Sequence, residues 1–275
     1  GKKACPPEDC GGIYGYYHLL DAIADPDHEE HDDLTEWLSD DIRARFDSAD
    51  GLVLEVNFLD NDQTSVQQLM QERGNLPPGD SLKNYLSTEA YDAIVTLGGE
   101  VGLPEVAIDR LRPWLAMLQM AALSAVKSGF LPQYGVDITL LTLANQSGKP
   151  LTGLETAEYQ IGLFADLSDE EAAELIEAGY EELSELKAVF TAMRDHWLAG
   201  ETEALAEMVN EDFGEDEEWL ELFLWQRNRN WVVRLRELME EQAGTYFVAV
   251  GAGHLAGPNN LIALMEADGI AIARE

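Results

Sequence analysis

Three ionisable residues stand at the ends of short apolar runs, where they could act together on a metal ion or a water molecule. Glu55 lies within the run GLVLEVNF, Glu155 ends PLTGLE, and His254 follows YFVAVGAG. Carboxylates and imidazoles are ligands for divalent metals, and a metal-bound water is a good nucleophile near neutral pH. The same residues could instead form a structural polar network. Their spacing alone does not choose between these two interpretations.

A carboxylate inside a run as apolar as LVLEV is costly to bury unless it has a partner. Arg227 and Arg229, in QRNRNW, are candidate partners for Glu55. Two carboxylates held close together repel each other, so that a bound cation or an arginine has to accompany them. If Arg227 alone balances Glu55 and Glu155, the cluster needs no metal.

The segment around His254 is predicted to be a strand, a loop and a helix. Gly251 and Gly253 follow the strand and permit close backbone approach. Pro258 fits the first turn of the helix and Gly269 fits its C-terminal cap. His254 then lies just beyond the carboxyl edge of the strand, where open α/β sheets place ligands. The alternative is a loop histidine that is bonded to a nearby backbone carbonyl and contributes little packing.

The elements that position these residues indicate an α/β fold. The runs GLVLEVNF, PLTGLE, YFVAVGA and IAIAR are short and rich in β-formers, which predicts that they lie in one sheet. The longer segments between them are predicted to be helical. One helix or helix pair is interrupted or restarted at Pro113. Ser168 and Glu171 form a capping box that opens an acidic helix reaching about Ala192.

The charge of the chain excludes some partners. It has 53 acidic and 17 basic residues among 275, a formal net charge of −36. That balance argues against nucleic acid and against anionic membrane surfaces, while it attracts cations. No run of about 18 apolar residues is present, so no membrane-spanning helix is expected. No signal peptide is visible in the sequence, and the compartment stays open.

Seven stretches of the chain together carry a family resemblance, namely ADGLVLEVNF, LRPWLA, YGVDITLL, GKPLTGLETAEYQ, HWLAGETEAL, QRNRNWV and FVAVGAGHLAGPNNLIALMEADG. Through them, residues from about 46 to 275 resemble the TraB/GumN/PrgY family, which is related to the Tiki proteases. The resemblance implies a metal-dependent, Tiki-like hydrolase fold with a twisted sheet core and flanking helices, one divalent metal ion, and a peptide or other small substrate. Family members are commonly exported.

The hallmark of that family is a pair of Gly-x-x-His elements together with acids and an arginine. Here GAGH supplies the second element. The resemblance implies that His254 and an acid bind the metal, that a second acid is the general base and that Arg227 stabilises developing negative charge. The residues it singles out are Glu55, Glu155, Arg227 and Asn228 for catalysis, His254, Glu55 and His18 for metal, and Gly251 and Gly253 for the loop.

The N-terminal part departs from the family, because no strand carrying the first Gly-x-x-His element precedes GLVLEV. Residues 1–47 are predicted to be a short, mostly helical segment without a core of its own. Through ACPPEDCGGIYGYY and DPDHEEH they resemble the C-terminal tail of plasmid ORF-three-like (pRiA-type) proteins. His18, in GYYH, is the candidate replacement for the missing histidine. Residues 48–275 then form the TraB/GumN-like domain.

Two functions stay open at this point. One is a metal-dependent hydrolase that is impaired if the first histidine element is lost. The other is a non-catalytic binding or regulatory remnant, in which the polar residues are structural. The meeting of two family resemblances in one chain has three possible origins, namely a natural fusion, a truncated gene prediction or an artificial join.

Overall fold

A computed structural model describes residues 40–57, 63–130, 135–180, 186–201, 203–205, 207–208, 217–241 and 243–273. Three strands form a parallel sheet: β1 (Gly51–Val56) lies in the centre, between β2 (Leu151–Glu155) and β3 (Tyr246–Ala249). Helices separate the strands along the chain, so the α/β class is confirmed. Three of the four predicted strands are therefore present.

The helices, in chain order, are α1 (Asp40–Ser48), α2 (Gln63–Arg73), α3 (Thr88–Glu100), α4 (Glu105–Ile108), α5 (Pro113–Lys127), α6 (Val136–Ser147), α7 (Ala157–Ala165), α8 (Asp169–Gly179), α9 (Leu186–Ala199), α10 (Glu217–Leu220), α11 (Gln226–Glu241) and α12 (Leu261–Ala267). A π-helical turn, Glu221–Trp225, joins α10 to α11. A short 3-10 turn, Ala252–His254, follows β3. In the described part of the chain, no helix is long and apolar enough to cross a membrane.

The fourth predicted strand is wrong. Residues 270–273 of IAIAR are not in a strand, and Ile272 is 37% exposed. The alternation of that run suits a strand with one buried face, but none of residues 270–273 is buried against the described part of the chain.

The contacts divide the chain into two units. In the first unit, whose described residues are 40–53, 135–151 and 244–248, α1 and α6 accompany the beginnings of the strands. Phe46 is buried and meets the ring of Phe247 edge to face, with 5.9 Å between centroids. Lys149 Nζ donates to the carbonyl oxygens of Asp47, in the last turn of α1, and of Ala49, which directly follows the helix. A cation at these last carbonyls stabilises the helix C-terminus.

The second unit, whose described residues lie within 54–130, 152–243 and 249–273, holds an extensive apolar core. Trp114 and Met120 of α5 and Ile94 of α3 are fully buried there, and Ile176 of α8 is buried beside them. Pro113 is the first residue of α5, as predicted, because its fixed φ suits the first helical turn. This core is formed mostly by helices, and together with the apolar side chains packed against it contains more residues than the three-stranded sheet.

Some helix boundaries differ from expectation. The capping box of Ser168 and Glu171 is confirmed, but α8 ends at Gly179 rather than near Ala192. Pro258 does not begin the last helix. Helix α12 starts three residues later, where Asn260 accepts a hydrogen bond from Ala263 N and so caps it better than a proline can.

Candidate functional site

The site is built around Glu55, the single acid of β1, which lies between the buried residues Leu54 and Val56. Its Oε2 accepts from Arg227 Nη2 at 2.7 Å and from Gln160 Nε2 at 3.0 Å. Its Oε1 accepts from the backbone N–H of Gly251 at 2.7 Å. The side chain is 19% exposed to solvent. Glu55 is therefore held firmly through Oε2, while Oε1 is the less occupied oxygen.

Glu155, the last residue of β2, has no such free side. Its Oε1 accepts from Arg227 Nη2 at 2.6 Å and from Gln160 Nε2 at 3.1 Å. Its Oε2 accepts from Arg227 Nε and from Trp231 Nε1, both at 3.1 Å. The side chain is only 6% exposed. Arg227 Nε also lies 3.1 Å from Oε1, so five donor contacts engage this buried carboxylate and leave neither oxygen free.

Arg227 is the cation shared by the two acids. It lies near the start of α11 and is 7% exposed. Its Nη1 donates to the carbonyl of Phe223 at 2.9 Å, a group inside the π-helical turn. Such turns insert a residue into a helix and recur at functional sites. The other arginine candidate, Arg229, lies outside the site, where it is half exposed and paired with Glu221.

His254 ends the 3-10 turn after β3 and is 4% exposed. Its Nδ1 lies 2.7 Å from Asn228 Oδ1, and its ring packs against Trp231 with 4.2 Å between centroids. Its Nε2 lies 3.9 Å from Glu55 Oε1. The histidine is therefore not a loosely packed loop residue bonded to a backbone carbonyl. It is buried, and a side-chain amide is its partner.

The local electrostatics keep His254 neutral. Burial, followed by the charge of Arg227, lowers the pKa of His254 to about 3 from an ordinary 6.5. Removing an imidazolium from water is costly, and a neighbouring guanidinium adds repulsion. With the imidazole neutral, Glu55, Glu155 and Arg227 together carry a formal charge of −1. The cluster therefore has capacity for one more positive charge.

The glycine at position 251 is required by space rather than by conformation. Its backbone angles, φ −56° and ψ 141°, are open to any residue. A Cβ added there would lie 3.1 Å from Glu55 Oε1 and 3.7 Å from His254 Cδ2. The missing side chain leaves room beside both groups. Gly253 lies within the 3-10 turn that carries His254.

The structure brings together five residues that the sequence singled out, namely Glu55, Glu155, Arg227, Asn228 and His254. It places Gly251 in direct contact with Glu55. The candidate His18 lies outside the described residues. No group of three or more His, Cys, Asp or Glu side chains that could hold a metal ion occurs in the ranges that the structure describes.

Three contributing residues were missed by sequence reasoning, namely Gln160, Trp231 and Asn259. Trp231 follows Arg227 by four positions in a helix, which puts both on one face, and this spacing was a usable signal. Gln160 lies in the first turns of α7, directly after the strand that ends at Glu155. Asn259 contributes a backbone carbonyl, which accepts from Asn228 Nδ2 at 2.9 Å, and no side-chain pattern reveals such a contact.

Comparisons with known proteins agree with the resemblance in the sequence. The profile of the TraB/PrgY/gumN family matches residues 29–274, and that of the plasmid pRiA4b ORF-3-like proteins matches residues 1–51. The uncharacterized protein YbaP of Escherichia coli K12 is 26% identical over 90% of this chain and 86% of its own length. The YbaP of Shigella flexneri is 28% identical over 78% of this chain and 76% of its own length.

A third relative matches only a short segment. The uncharacterized protein y4hQ of Sinorhizobium fredii is 54% identical over 33 residues, which is 12% of this chain and 17% of that protein. No solved structure matches the chain significantly.

Proposed function

The chain belongs to the TraB/PrgY/gumN family, and on that premise we propose that it is a metal-dependent hydrolase acting on a peptide or another small substrate. One observation carries the proposal. Glu55 Oε1 and His254 Nε2 face each other at 3.9 Å, and both present lone pairs. Two acceptors at this separation are satisfied together by a cation or a water molecule placed between them.

The protonation of His254 follows from its contacts. The oxygen of the Asn228 amide only accepts hydrogen bonds, so His254 Nδ1 carries the proton and donates it at 2.7 Å. The lone pair of the neutral ring is then on Nε2, the nitrogen that faces Glu55. A histidine that ligates a metal typically has this arrangement, with its second nitrogen held by a hydrogen bond.

The pair fits a divalent metal in three respects. Two ligands that each lie about 2.0–2.2 Å from one ion are at most roughly 4.4 Å apart, and 3.9 Å is within that limit. The cluster of Glu55, Glu155 and Arg227 has a formal charge of −1 to offset. The space left by Gly251 adjoins both ligands. Catalytic zinc sites commonly have three protein ligands, and His18, which lies outside the described residues, stays the sequence-based candidate for the third.

The contacts divide the work between the two acids. Glu155 is saturated and serves to hold Arg227 and, through Gln160, the orientation of Glu55. Glu55 keeps Oε1 directed toward His254 and the space beside Gly251, where this oxygen can coordinate the metal or accept a proton from water. When bound, the metal would lower the pKa of a water molecule and polarise a carbonyl. Arg227, fixed by both acids, supplies a positive field beside this space.

The test uses a synthetic peptide library of mixed sequence, incubated with the full chain and Zn²⁺, Mn²⁺ or Co²⁺, and read by mass spectrometry. We expect cleavage that a chelator abolishes and that Glu55→Gln reduces by several orders of magnitude. His196→Gln is the matched control, because His196 is a partly exposed histidine paired with Glu201 elsewhere, and it should cleave like the wild type. The absence of cleavage with all three metals would exclude a peptide substrate, and undiminished cleavage by Glu55→Gln would contradict the proposal itself.

A second candidate is a non-catalytic network, and the saturation of Arg227 and Glu155 favours it. A guanidinium that donates to two carboxylates and a carbonyl links β1, β2 and α11 without any metal. Under this alternative the chain is a binding or regulatory remnant. Glu55→Gln would then change stability and leave metal content unchanged.

A further inference from the structure

His254 is held in a buried chain of hydrogen bonds that begins at a strained turn. Asn228, 1% exposed, contacts His254 Nδ1 through Oδ1 at 2.7 Å and the carbonyl of Asn259 through Nδ2 at 2.9 Å. Asn259 has a φ of 53°, the one positive value at a non-glycine residue among those the structure describes. Non-glycine residues adopt this conformation rarely, and asparagine is among those that tolerate it best.

The carbonyl of Asn259, at the end of this series of hydrogen bonds, determines which group donates and which accepts in each of them. A backbone carbonyl has no proton, so the group of Asn228 that faces Asn259 has to be the NH₂. The oxygen of the same amide then faces His254, which requires the proton on Nδ1. A neutral imidazole in water favours the proton on Nε2, so the protein has to overrule the intrinsic preference of the ring.

From these contacts we propose that Asn259 is a positioning residue. Its left-handed backbone presents the carbonyl that orients the Asn228 amide, and this orientation places the lone pair of His254 on Nε2, toward Glu55. The tautomer itself follows from the hydrogen bonds alone. Its value for binding a metal rests on the proposed function.

The neighbouring turn supports the assignment. Asn260, the next residue, caps α12 through Ala263 N and donates to the carbonyl of Gly257 at 2.7 Å. The backbone on the C-terminal side of Asn259 is thereby anchored, so its carbonyl has little freedom to turn away from Asn228. Asn228 in turn lies in the first turn of α11, directly after Arg227 in sequence.

The experiment measures the tautomer directly, by the ¹⁵N chemical shifts of the His254 ring in metal-free full-length protein labelled at histidine, at neutral pH. The signal is identified by its loss in His254→Gln. We expect a protonated Nδ1 and an unprotonated Nε2. In Asn228→Leu, which keeps a similar volume, the proton should move largely to Nε2.

Two variants at one position isolate the turn. Asn259→Gly retains access to a positive φ and should keep the wild-type tautomer. Asn259→Val is strained there, which displaces the carbonyl, and should shift the tautomer as Asn228→Leu does. Ser168→Ala, which removes the helix cap of α8, controls for a general loss of stability and should leave the ring signals unchanged. If Asn228→Leu does not fold, the pair at position 259 still decides.

Binding of Co²⁺, followed by its visible absorption, separates this inference from the proposed function. Loss of an outer partner of a ligating histidine weakens metal binding about 10- to 100-fold, and that is the expected effect of Asn228→Leu. A wild-type ring protonated on Nε2, or identical ring signals in the Gly and Val variants, would overturn the inference. The expected tautomer without any Co²⁺ binding would support the inference and contradict the metal-dependent function.

Discussion

Replacing Arg227 by methionine tests how the two acids are balanced. Methionine keeps an unbranched apolar stem beside Trp231, over whose ring the guanidinium carbon lies 4.9 Å from the centroid. It removes the charge that contacts Glu55 at 2.7 Å and Glu155 at 2.6 Å. Removing one partner of a buried ion pair typically lowers the free energy of unfolding by about 3–5 kcal/mol, because the remaining charge is left buried without a partner. Here two carboxylates are left facing each other, so we expect a loss in the upper part of that range.

The matched control lies two residues away on the same helix. Arg229 has a side-chain exposure of 46% and pairs with Glu221. Exposed pairs contribute about 0–1 kcal/mol, which is the loss expected for Arg229→Met. The free energy of unfolding is measured by urea denaturation at pH 7 in the presence of a chelator. Adding Glu155→Gln to Arg227→Met removes one of the repelling charges and should recover part of the loss.

Equal losses for Arg227→Met and Arg229→Met, both under about 1 kcal/mol, would refute this reasoning. Such a result would mean that the two carboxylates are stabilised by water or by another cation, and that the buried guanidinium contributes little. A double variant less stable than Arg227→Met alone would show that repulsion between the acids is not the cause of the loss.

Three further outcomes are expected. The unfolded chain protonates His254 near its ordinary pKa of 6.5 while the fold holds the pKa at about 3, so the unfolded state binds more protons and stability falls as the pH is lowered from 6.5 toward 3. Between pH 7 and pH 5 the free energy of unfolding should fall by about 2 kcal/mol through this histidine. Urea denaturation of the metal-free protein measures this as a fall in the wild type that His254→Gln lacks. Parallel pH profiles of the two proteins would contradict the prediction. The net charge of −36 predicts a melting temperature that rises with sodium chloride as repulsion is screened, and calorimetry showing no rise would exclude this. Gly251→Ala places a Cβ 3.1 Å from Glu55 Oε1 and should weaken Co²⁺ binding with little change in stability, whereas unchanged binding would show that this space is not used.

The sheet and the convergence of the charged residues were accessible to sequence reasoning for a physical reason. Short runs rich in β-branched residues and leucine, such as GLVLEV, favour buried strands. In a parallel sheet the carboxyl ends of the strands meet at one edge. Glu55, Glu155 and His254 each lie at or beyond such an end, and the structure places them around Arg227. Their catalytic and metal-binding roles stay predictions.

Other features depend on tertiary contacts that a linear pattern does not contain. IAIAR alternates like a strand, yet the described residues bury neither face of its residues 270–273. Pro258 is suited to the first turn of a helix, but the helix begins three residues later, because the side chain of Asn260 caps it there. The ring of His254 packs against Trp231, which belongs to a different element of the chain. Gln160 was missed because its role arises from reaching two acids at once.

The metal content of the purified full-length chain tests the central claim most directly. Elemental analysis after dialysis against Zn²⁺, Mn²⁺ or Co²⁺ compares the wild type with His254→Gln, which preserves volume beside Trp231, and with His196→Gln as the histidine control. If Glu55 Oε1 and His254 Nε2 hold a cation together, the wild type and His196→Gln each retain about one equivalent of one of these metals, the one-ion site that a catalytic metal requires. His254→Gln retains none. Equal metal content in His254→Gln and the wild type, or none in any of the three proteins, would contradict the claim.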